Sequence, residues 1–236
     1  TAGALGVIIP PSIPMVTYGV VTGVSIGDLF VGGIFPGILI GFSLMVFAFI
    51  HVKKHGEDRE KISHRVRTLR EKGFLNILKD SFWALLTPVI ILGGIYSGIV
   101  TPTEAAVISV FYALLVCIFI YKSLTLKNLG AIMVETVRSY APIVVLLSLT
   151  IVFGRVLSLL QAPIMLRDFI LINFAGNRYI FLLVLNIILI ILGMFMDVGP
   201  VIAILAPMLL PAAVELGINP VHLGIIMVVN LAIGMA

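Results

Sequence analysis

Two adjacent prolines and a serine stand inside the apolar stretch GVIIPPSIPM, residues 6–15. Proline has no N–H to donate, so Pro10 and Pro11 leave carbonyl oxygens of the preceding turn without helical partners. Freed carbonyls and the Ser12 hydroxyl are hard oxygen ligands, which suit Na⁺ better than a soft metal, and Gly6 would let backbones approach closely. The alternative is a proline kink that serves helix packing. Because two prolines exceed what a kink requires, we predict a sodium site at Gly6, Pro10, Pro11 and Ser12.

A carboxylate, Asp197, ends a second apolar run and is followed closely by Gly199 and Pro200. An ionised side chain at membrane depth is costly unless it is paired, hydrated or coordinated to a cation. Aspartate is also a preferred residue just before the first turn of a helix. Both interpretations stay open, and they are compatible: Asp197 caps a helix, binds a cation with Gly199 and Pro200, or does both.

Arg155 lies well inside the apolar run LTIVFGRVLSLL, with no acidic residue within one turn. Its guanidinium could extend along the helix to reach the membrane interface. It could instead face a cavity and bind a substrate carboxylate through two parallel hydrogen bonds, with Ser12 as a second substrate contact. Arg155 is therefore the candidate residue for substrate recognition.

Helices that cross a membrane must position these residues. Apolar residues make up 61% of the 236, charged residues only 11%, and the mean hydropathy is +1.23. A soluble domain carries about a quarter charged residues, so that class is excluded. Apolar stretches close to the roughly 20 residues that span a bilayer recur; they are 29–50, 82–99, 105–121, 141–160 and 179–196.

The charge is concentrated in one segment, residues 51–80, which holds nine of the 15 lysines and arginines. The tendency of positive loops to remain in the cytoplasm places this segment there, and its closeness to membrane spans disfavours nucleic-acid binding. Apolar residues at helical spacing on both sides of Gly73 predict two amphipathic helices on the membrane surface. The alternative is a solvated linker. In either case the segment divides the chain into 1–50 and 81–236.

Two further stretches predict local structure. In GIVTPTEAAV (98–107), Thr101 is placed to cap a helix that starts at Pro102, with Glu104 completing the capping box. In 193–220, repeated glycines and prolines predict a pair of half-length helices or a broken helix. Residues 122–138 are expected to form a polar connection and a second amphipathic piece, and 163–177 has no clear pattern.

The two ends of the chain resemble each other. GALGVII (3–9) matches NLAIGMA (230–236) when Gly6 is set against Gly234. Paired discontinuous helices in corresponding positions of two halves are typical of secondary transporters. A channel would need rings of like charge or filter loops, and an intramembrane hydrolase would need a base beside Ser12. The histidines have no partners at metal-ligand spacing.

Together these motifs resemble the large membrane subunit of tripartite ATP-independent periplasmic (TRAP) transporters, the DctM-like members of the ion-transporter superfamily. The resemblance covers nearly the whole chain except the basic segment and residues 122–178. In the family pattern a Thr-Pro-Pro follows where this sequence stops, so we expect an internal fragment. The matching stretches are GALGVIIPPSIPMVTYG (3–19), SIGDLFVGGIFPG (25–37), GIVTPTEAAV (98–107), GMFMDVGPVIAILAPMLLP (193–211) and LGINPVHLGIIMVVNLAIGM (216–235).

The resemblance implies an all-α polytopic membrane protein, built as an inverted-repeat, elevator-type transporter with re-entrant hairpins and broken helices. It implies Na⁺-coupled import of an organic acid across the bacterial inner membrane, and no enzymatic activity or organic cofactor. Its partners would be a small DctQ-like membrane subunit and a periplasmic substrate-binding protein. Sialic acid or a C4-dicarboxylate is the predicted substrate. The alternative is a stand-alone Na⁺/carboxylate symporter of the same superfamily that needs no binding protein.

The resemblance also extends the site and divides the chain. It adds Asn230 and Gly234 to Asp197, Gly199 and Pro200 as sodium ligands of the second repeat. The predicted divisions are the end of a hairpin and a broken helix of the transport domain (1–28), a scaffold helix (29–50), a cytoplasmic arm (51–80), scaffold helices that begin the second repeat (81–140), and the second repeat's transport domain with its hairpin (141–236).

Overall fold

A computed structural model describes residues 3–56, 74–173 and 177–236, which are helical almost throughout and contain no strand. By length and hydropathy, six described segments are able to cross a membrane, which confirms the predicted all-α polytopic fold. The helices are α1 (Gly3–Ile8), α2 (Ile13–Thr22), α3 (Ile26–His55), α4 (Phe74–Tyr96), α5 (Pro102–Leu115) with a π-helical turn (Val116–Ile120), α6 (Leu126–Leu159), α7 (Ala162–Asn173), α8 (Arg178–Phe195), α9 (Val198–Glu215) and α10 (Pro220–Met235).

The chain divides into two compact units, one formed by Thr1–Gly41 with Met133–Ala236 and the other by Phe42–Ile132. Residues 1–28 and 141–236, which the resemblance assigns to one transport domain, fall in the first unit. The assignment of transport and scaffold domains stays a prediction. Most of the expected cytoplasmic arm lies outside the described residues; its first residues continue α3 to His55 and its last belong to α4.

The core of the first unit is built around α9, which packs against α2, α7 and α10. Ile202, Ala206 and Ala213 of α9 are fully buried, as are Met15 of α2 and Met227 of α10. A helix that is apolar on every side is stable only when neighbouring helices or lipid surround it, and α9 carries apolar residues all round. The helix that follows Asp197 is therefore the most enclosed element of this unit.

Two sequence expectations are contradicted, the first of them in part. Residues 193–220 contain a break at Met196 and Asp197, as the broken-helix alternative predicts. Pro207 and Pro211 do not form half-length helices, because both lie inside the continuous 18-residue helix α9. Proline is tolerated within membrane helices where neighbouring helices enclose the freed backbone groups. Residues 126–138 are not a separate amphipathic piece either, since they form the first turns of the 34-residue helix α6.

In the second unit, α4 and α5 pack together across a tight turn. The Thr101 hydroxyl accepts a hydrogen bond from the Glu104 N–H, and the Glu104 carboxylate accepts one from the Thr101 N–H at 2.7 Å. This is the predicted capping box, confirmed with Pro102 at the first helical position. The Tyr112 hydroxyl also donates to the Trp83 carbonyl at 2.8 Å, which ties the two helices together.

Candidate functional site

The tandem prolines break the first helix pair at residues 9–12, between α1 and α2. In a continuous helix the carbonyls of Gly6 and Val7 would accept from residues 10 and 11, both of which are prolines without an N–H. The Ser12 hydroxyl replaces one missing donor, because it donates to the Val7 carbonyl. The Gly6 carbonyl keeps no donor at the helical position. The break thus frees carbonyls as predicted, and Ser12 takes up one of them.

Ser12 has a second task at the start of α2. Its backbone is extended, and its side chain accepts a hydrogen bond from the Met15 N–H at 3.4 Å, as helix-capping serines do. The side chain is only 2% exposed. Its hydroxyl is therefore committed within the chain on both its donor and acceptor sides. Contact of Ser12 with an ion or a substrate stays a prediction.

Gly6 and Gly33, both near this break, differ in their surroundings. A Cβ on Gly6 would meet no described atom within 4 Å, so the close backbone approach expected there is not present. A Cβ on Gly33 of α3 would lie 3.2 Å from the Ile8 carbonyl oxygen. Small residues let membrane helices approach closely, and here α3 covers the broken backbone from one side.

A second break, at Met196 and Asp197, separates α8 from α9. The Asp197 carboxylate caps α9, since its Oδ1 accepts a hydrogen bond of 2.9 Å from the Val198 N–H. The capping interpretation of Asp197 is thereby confirmed. The side chain is exposed and its second oxygen remains available, so cation binding stays a prediction that is compatible with the cap.

A cavity of about 370 Å³ brings the two breaks together. The first break contributes side chains from both of its ends, and the second contributes Asp197, Gly199 and Pro200. Among the described lining residues, Asp197 is the only acidic or basic side chain. The lining residues are Val7, Ile13, Pro14, Thr17, Tyr140, Pro142, Ile143, Leu146, Leu147, Asp197, Val198, Gly199, Pro200 and Met235.

Two helix N-termini, those of α2 and α9, open onto this cavity. The N–H groups of a first turn have no helical acceptors, and each N-terminus carries about half a positive charge. Asp197 offsets that charge at α9, whereas Ser12, which caps α2, is neutral. The cavity therefore combines one carboxylate with two anion-attracting helix ends in mostly apolar walls.

Asn230 and Gly234 lie outside this lining, where α8 and α10 cross. The Asn230 amide donates to the Asn186 side chain of α8 and, at 2.9 Å, to the Ile226 carbonyl. A Cβ on Gly193 of α8 would lie 2.6 Å from the Leu231 carbonyl oxygen, so this crossing requires glycine. The predicted ligands Asn230 and Gly234 thus hold two helices together next to the cavity.

The sequence interpretation missed Asn186. A signal was present, because Asn186 is the only strongly polar side chain within the apolar core of α8, between Tyr179 and Phe195. A carboxamide in such a run is expensive in hydrocarbon and marks a contact with another helix.

Arg155 is not brought to the cavity. It lies on an exposed face of α6, four residues before that helix ends at Leu159. Arg167 of α7, by contrast, forms an ion pair: its Nε lies 2.8 Å from a carboxylate oxygen of Glu215 at the end of α9. The position of Arg155 favours the interfacial interpretation, and substrate binding by Arg155 stays a prediction.

The described residues contain no group of three or more His, Cys, Asp or Glu side chains that could hold a metal ion. Sodium does not require such a group, because carbonyl and hydroxyl oxygens suffice. The donors at the two breaks are backbone carbonyls and the Asp197 carboxylate, and these fit a hard monovalent cation.

The helices and the cavity between two breaks define a multi-pass membrane protein with the architecture of a solute transporter. The family described as "Tripartite ATP-independent periplasmic transporter, DctM component" matches residues 1–236, and the chain belongs to that family. Its relatives are named as transporter permeases and not as enzymes.

Three relatives show the extent of the similarity. The "Isethionate TRAP transporter permease protein DctMQ" of Oleidesulfovibrio alaskensis is 43% identical over 99% of this chain and 36% of its own. The "C4-dicarboxylate TRAP transporter large permease protein DctM" of Pseudomonas aeruginosa is 41% identical over 99% of this chain and 53% of its own. The "Sialic acid TRAP transporter large permease protein SiaM" of Vibrio cholerae is 40% identical over 98% of this chain and 52% of its own. The chain spans about half the length of such large permeases.

Proposed function

We propose that this chain is part of the large permease of a TRAP transporter that imports an organic acid across the bacterial inner membrane, coupled to Na⁺. The observation that carries the proposal is the cavity of about 370 Å³ onto which two helix N-termini and one carboxylate open. Helices that only span the bilayer do not require a carboxylate and helix N-termini around a common cavity. A site that holds an anion and a cation together requires both.

The helix ends support an acidic substrate. The N-termini of α2 and α9 carry partial positive charge, which favours a carboxylate or a sulfonate. The relatives are named for isethionate, C4-dicarboxylates, sialic acid and 2,3-diketo-L-gulonate, all of which are acids. The apolar remainder of the lining would contact the carbon skeleton. We infer an organic acid, with sialic acid or a C4-dicarboxylate as the predicted substrate.

Asp197 supports coupling to a cation. Its negative charge opposes the entry of an anionic substrate into the same cavity, because like charges in apolar surroundings repel strongly. A bound Na⁺ would neutralise this carboxylate and so favour the anion. The residues that would hold it are Asp197, with Gly199 and Pro200 beside it, and Gly6, whose carbonyl Pro10 leaves without a helical donor. This arrangement makes the binding of each ligand depend on the other.

The partners follow from the family. Its description is tripartite, and we infer that the other two components are a small DctQ-like membrane subunit and a periplasmic substrate-binding protein. The exposed apolar faces of the spans contact the lipid bilayer or the small subunit. An elevator movement of one domain against another is part of the same proposal.

The test is uptake into proteoliposomes that contain the full-length permease with its small subunit. Labelled succinate, sialic acid and isethionate are offered with and without a Na⁺ gradient, and with and without the binding protein. We expect uptake of one acid only when both the gradient and the binding protein are present. Uptake that needs Na⁺ but no binding protein would support the stand-alone symporter instead. Uptake indifferent to both would overturn the proposal.

A substitution separates the two tasks of Asp197. Asp197→Asn retains an oxygen that accepts from the Val198 N–H, so the cap and the fold are kept, but it removes the charge. We expect the Na⁺ concentration for half-maximal uptake to rise at least tenfold. The matched control is Glu135→Gln, which removes an exposed carboxylate of α6 outside the cavity. An unchanged Na⁺ response in Asp197→Asn would remove Asp197 from the cation site.

A further inference from the structure

The contact between α8 and α10 is the most extensive helix contact among the described residues. It is held at two levels. Asn186 and Asn230 form a hydrogen bond between the two helices. Further along, Gly193 and Gly234 meet so closely that a Cβ on Gly193 would lie 3.1 Å from the Gly234 Cα.

The glycine level lies directly beside the cavity. Gly193 is four residues before Asp197, and Gly234 is followed immediately by Met235; Asp197 and Met235 both line the cavity. The spacing and register of α8 against α10 therefore determine where Asp197 lies relative to Met235. The register of α8 against α10 is therefore one determinant of the shape of the cavity.

The glycines alone do not fix it. A groove between glycines lets two helices approach, but their smooth surfaces allow sliding along the groove. A hydrogen bond between two carboxamides is directional and weakens steeply when its atoms move apart, so it selects one register. Asn230 is 9% exposed and also donates to the Ile226 carbonyl of its own helix, which holds its side chain in one orientation.

We propose that Asn186 is a positioning residue, which acts through Asn230 to set the register of α8 against α10 and thereby holds Asp197 at the cavity. The inference rests on the proposed function, since its consequence is a defined Na⁺ dependence. Asn186 itself does not line the cavity, so it acts only through the helix that carries it.

The first experiment measures Na⁺-dependent uptake for Asn186→Leu, Asn230→Leu and the double variant. We expect each single variant to raise the half-saturating Na⁺ concentration about threefold, the effect that an average interhelical hydrogen bond in a membrane protein supports. The double variant should shift it no further than the single variants, because both remove the same bond. Loss of maximal rate with an unchanged half-saturating concentration would overturn the proposal and indicate a structural function only.

The matched control is Thr150→Val. It also removes a buried polar group from a spanning helix, but the Thr150 hydroxyl bonds only to the Leu146 carbonyl of its own helix at 2.8 Å. We expect an unchanged half-saturating Na⁺ concentration in this variant. Asn186→Gln covers the case in which the leucine variants do not fold, because it keeps a carboxamide that is one methylene too long. A Na⁺ response of Asn186→Gln identical to that of the unsubstituted protein would also contradict the proposal.

The second experiment does not depend on transport. In a Cys117→Ser background, which removes the single native cysteine, Met235→Cys is labelled with a water-soluble maleimide in the absence of Na⁺. We expect Asn186→Leu to raise the labelling rate of this cysteine, because the released register opens the cavity wall. An unchanged rate would overturn the positioning function. If the unsubstituted protein shows no Na⁺-dependent uptake, the proposed function fails by itself, whatever the labelling shows.

Discussion

The phenolic oxygen of Tyr18 in α2 donates a hydrogen bond of 2.7 Å to the carbonyl of Pro220, the first residue of α10. The two residues are 202 positions apart in sequence, and the Tyr18 side chain is fully buried. This bond fixes the helix that follows the proline break to the helix that carries Asn230. Two helices close to the cavity, α2 near the start of the chain and α10 near its end, are therefore joined directly by a hydrogen bond.

Removal of the Tyr18 hydroxyl should lower the stability of the protein without changing how α2 and α10 pack. Tyr18→Phe leaves the Pro220 carbonyl without that donor, and we expect a loss of about 0.6–1.5 kcal/mol in the free energy of unfolding. In a chain of this size that corresponds to a decrease of roughly 1–6 °C in Tm, measured in detergent. The control is Tyr96→Phe, where the phenol is 41% exposed. If both variants lost the same amount in Tm, the hydrogen bond from Tyr18 to Pro220 would not contribute to stability.

Ser12 is expected to contribute more than a serine usually does. Ser12→Ala removes the cap of α2 and leaves the Val7 carbonyl without a donor, and we expect about 1–3 kcal/mol of destabilisation, measured by thermal unfolding. Ser148→Ala is the control, because the Ser148 hydroxyl bonds to a carbonyl that already has a helical partner. We expect that control to change stability by less than about 0.5 kcal/mol. Equal effects would show that the break needs no donor from Ser12.

The glycine crossing gives a clear contrast between two substitutions of the same type. Gly193→Ala places a methyl group 2.6 Å from the Leu231 carbonyl oxygen, where only backbone could move, so we expect a lower Tm. Gly154→Ala meets no described atom within 4 Å and should raise Tm, because alanine favours a helix over glycine by about 1 kcal/mol. A rise in Tm for Gly193→Ala would show that α8 and α10 are not held this closely.

Arg155 tests the substrate prediction made from sequence. Because Arg155 lies on an exposed face and not in the cavity lining, we expect Arg155→Lys and Arg155→Ala to retain the KM of uptake within about twofold. A side chain that bound the substrate through two parallel hydrogen bonds would lose at least tenfold on either change. A tenfold higher KM, measured in proteoliposomes, would restore Arg155 to the substrate site.

Local features of this fold follow from the sequence. The spans are visible as apolar stretches, and the capping box at Thr101 and Glu104 is specified by residues three apart. The cap at Asp197 was one of two interpretations left open, since a carboxylate before a helix has the same local pattern whether or not it binds a cation. These features depend on residues that are close together in the sequence, so the sequence pattern alone predicts them.

The features that escaped prediction depend on distant partners. Nothing near Asn186 or Tyr18 in sequence indicates that their partners are Asn230 and Pro220, because packing selects those pairs. The continuity of α9 was missed for a related reason. Proline has a large cost in an isolated helix, and that cost falls only when other helices enclose it, which the 18 residues of α9 cannot reveal by themselves.

The continuity of α9 has a mechanical consequence. Pro207 and Pro211 remove the N–H groups that would bond to the Ala203 and Pro207 carbonyls, so two successive restraints on bending are missing from one stretch. Asp197 lies about 9 Å from Ala203 along the helix axis, and a bend of about 10° at Ala203 would displace its backbone by about 1.5 Å. Elastic bending of one helix would thus change the width of the cavity, with no helix unwound and no contact of α8 with α10 broken.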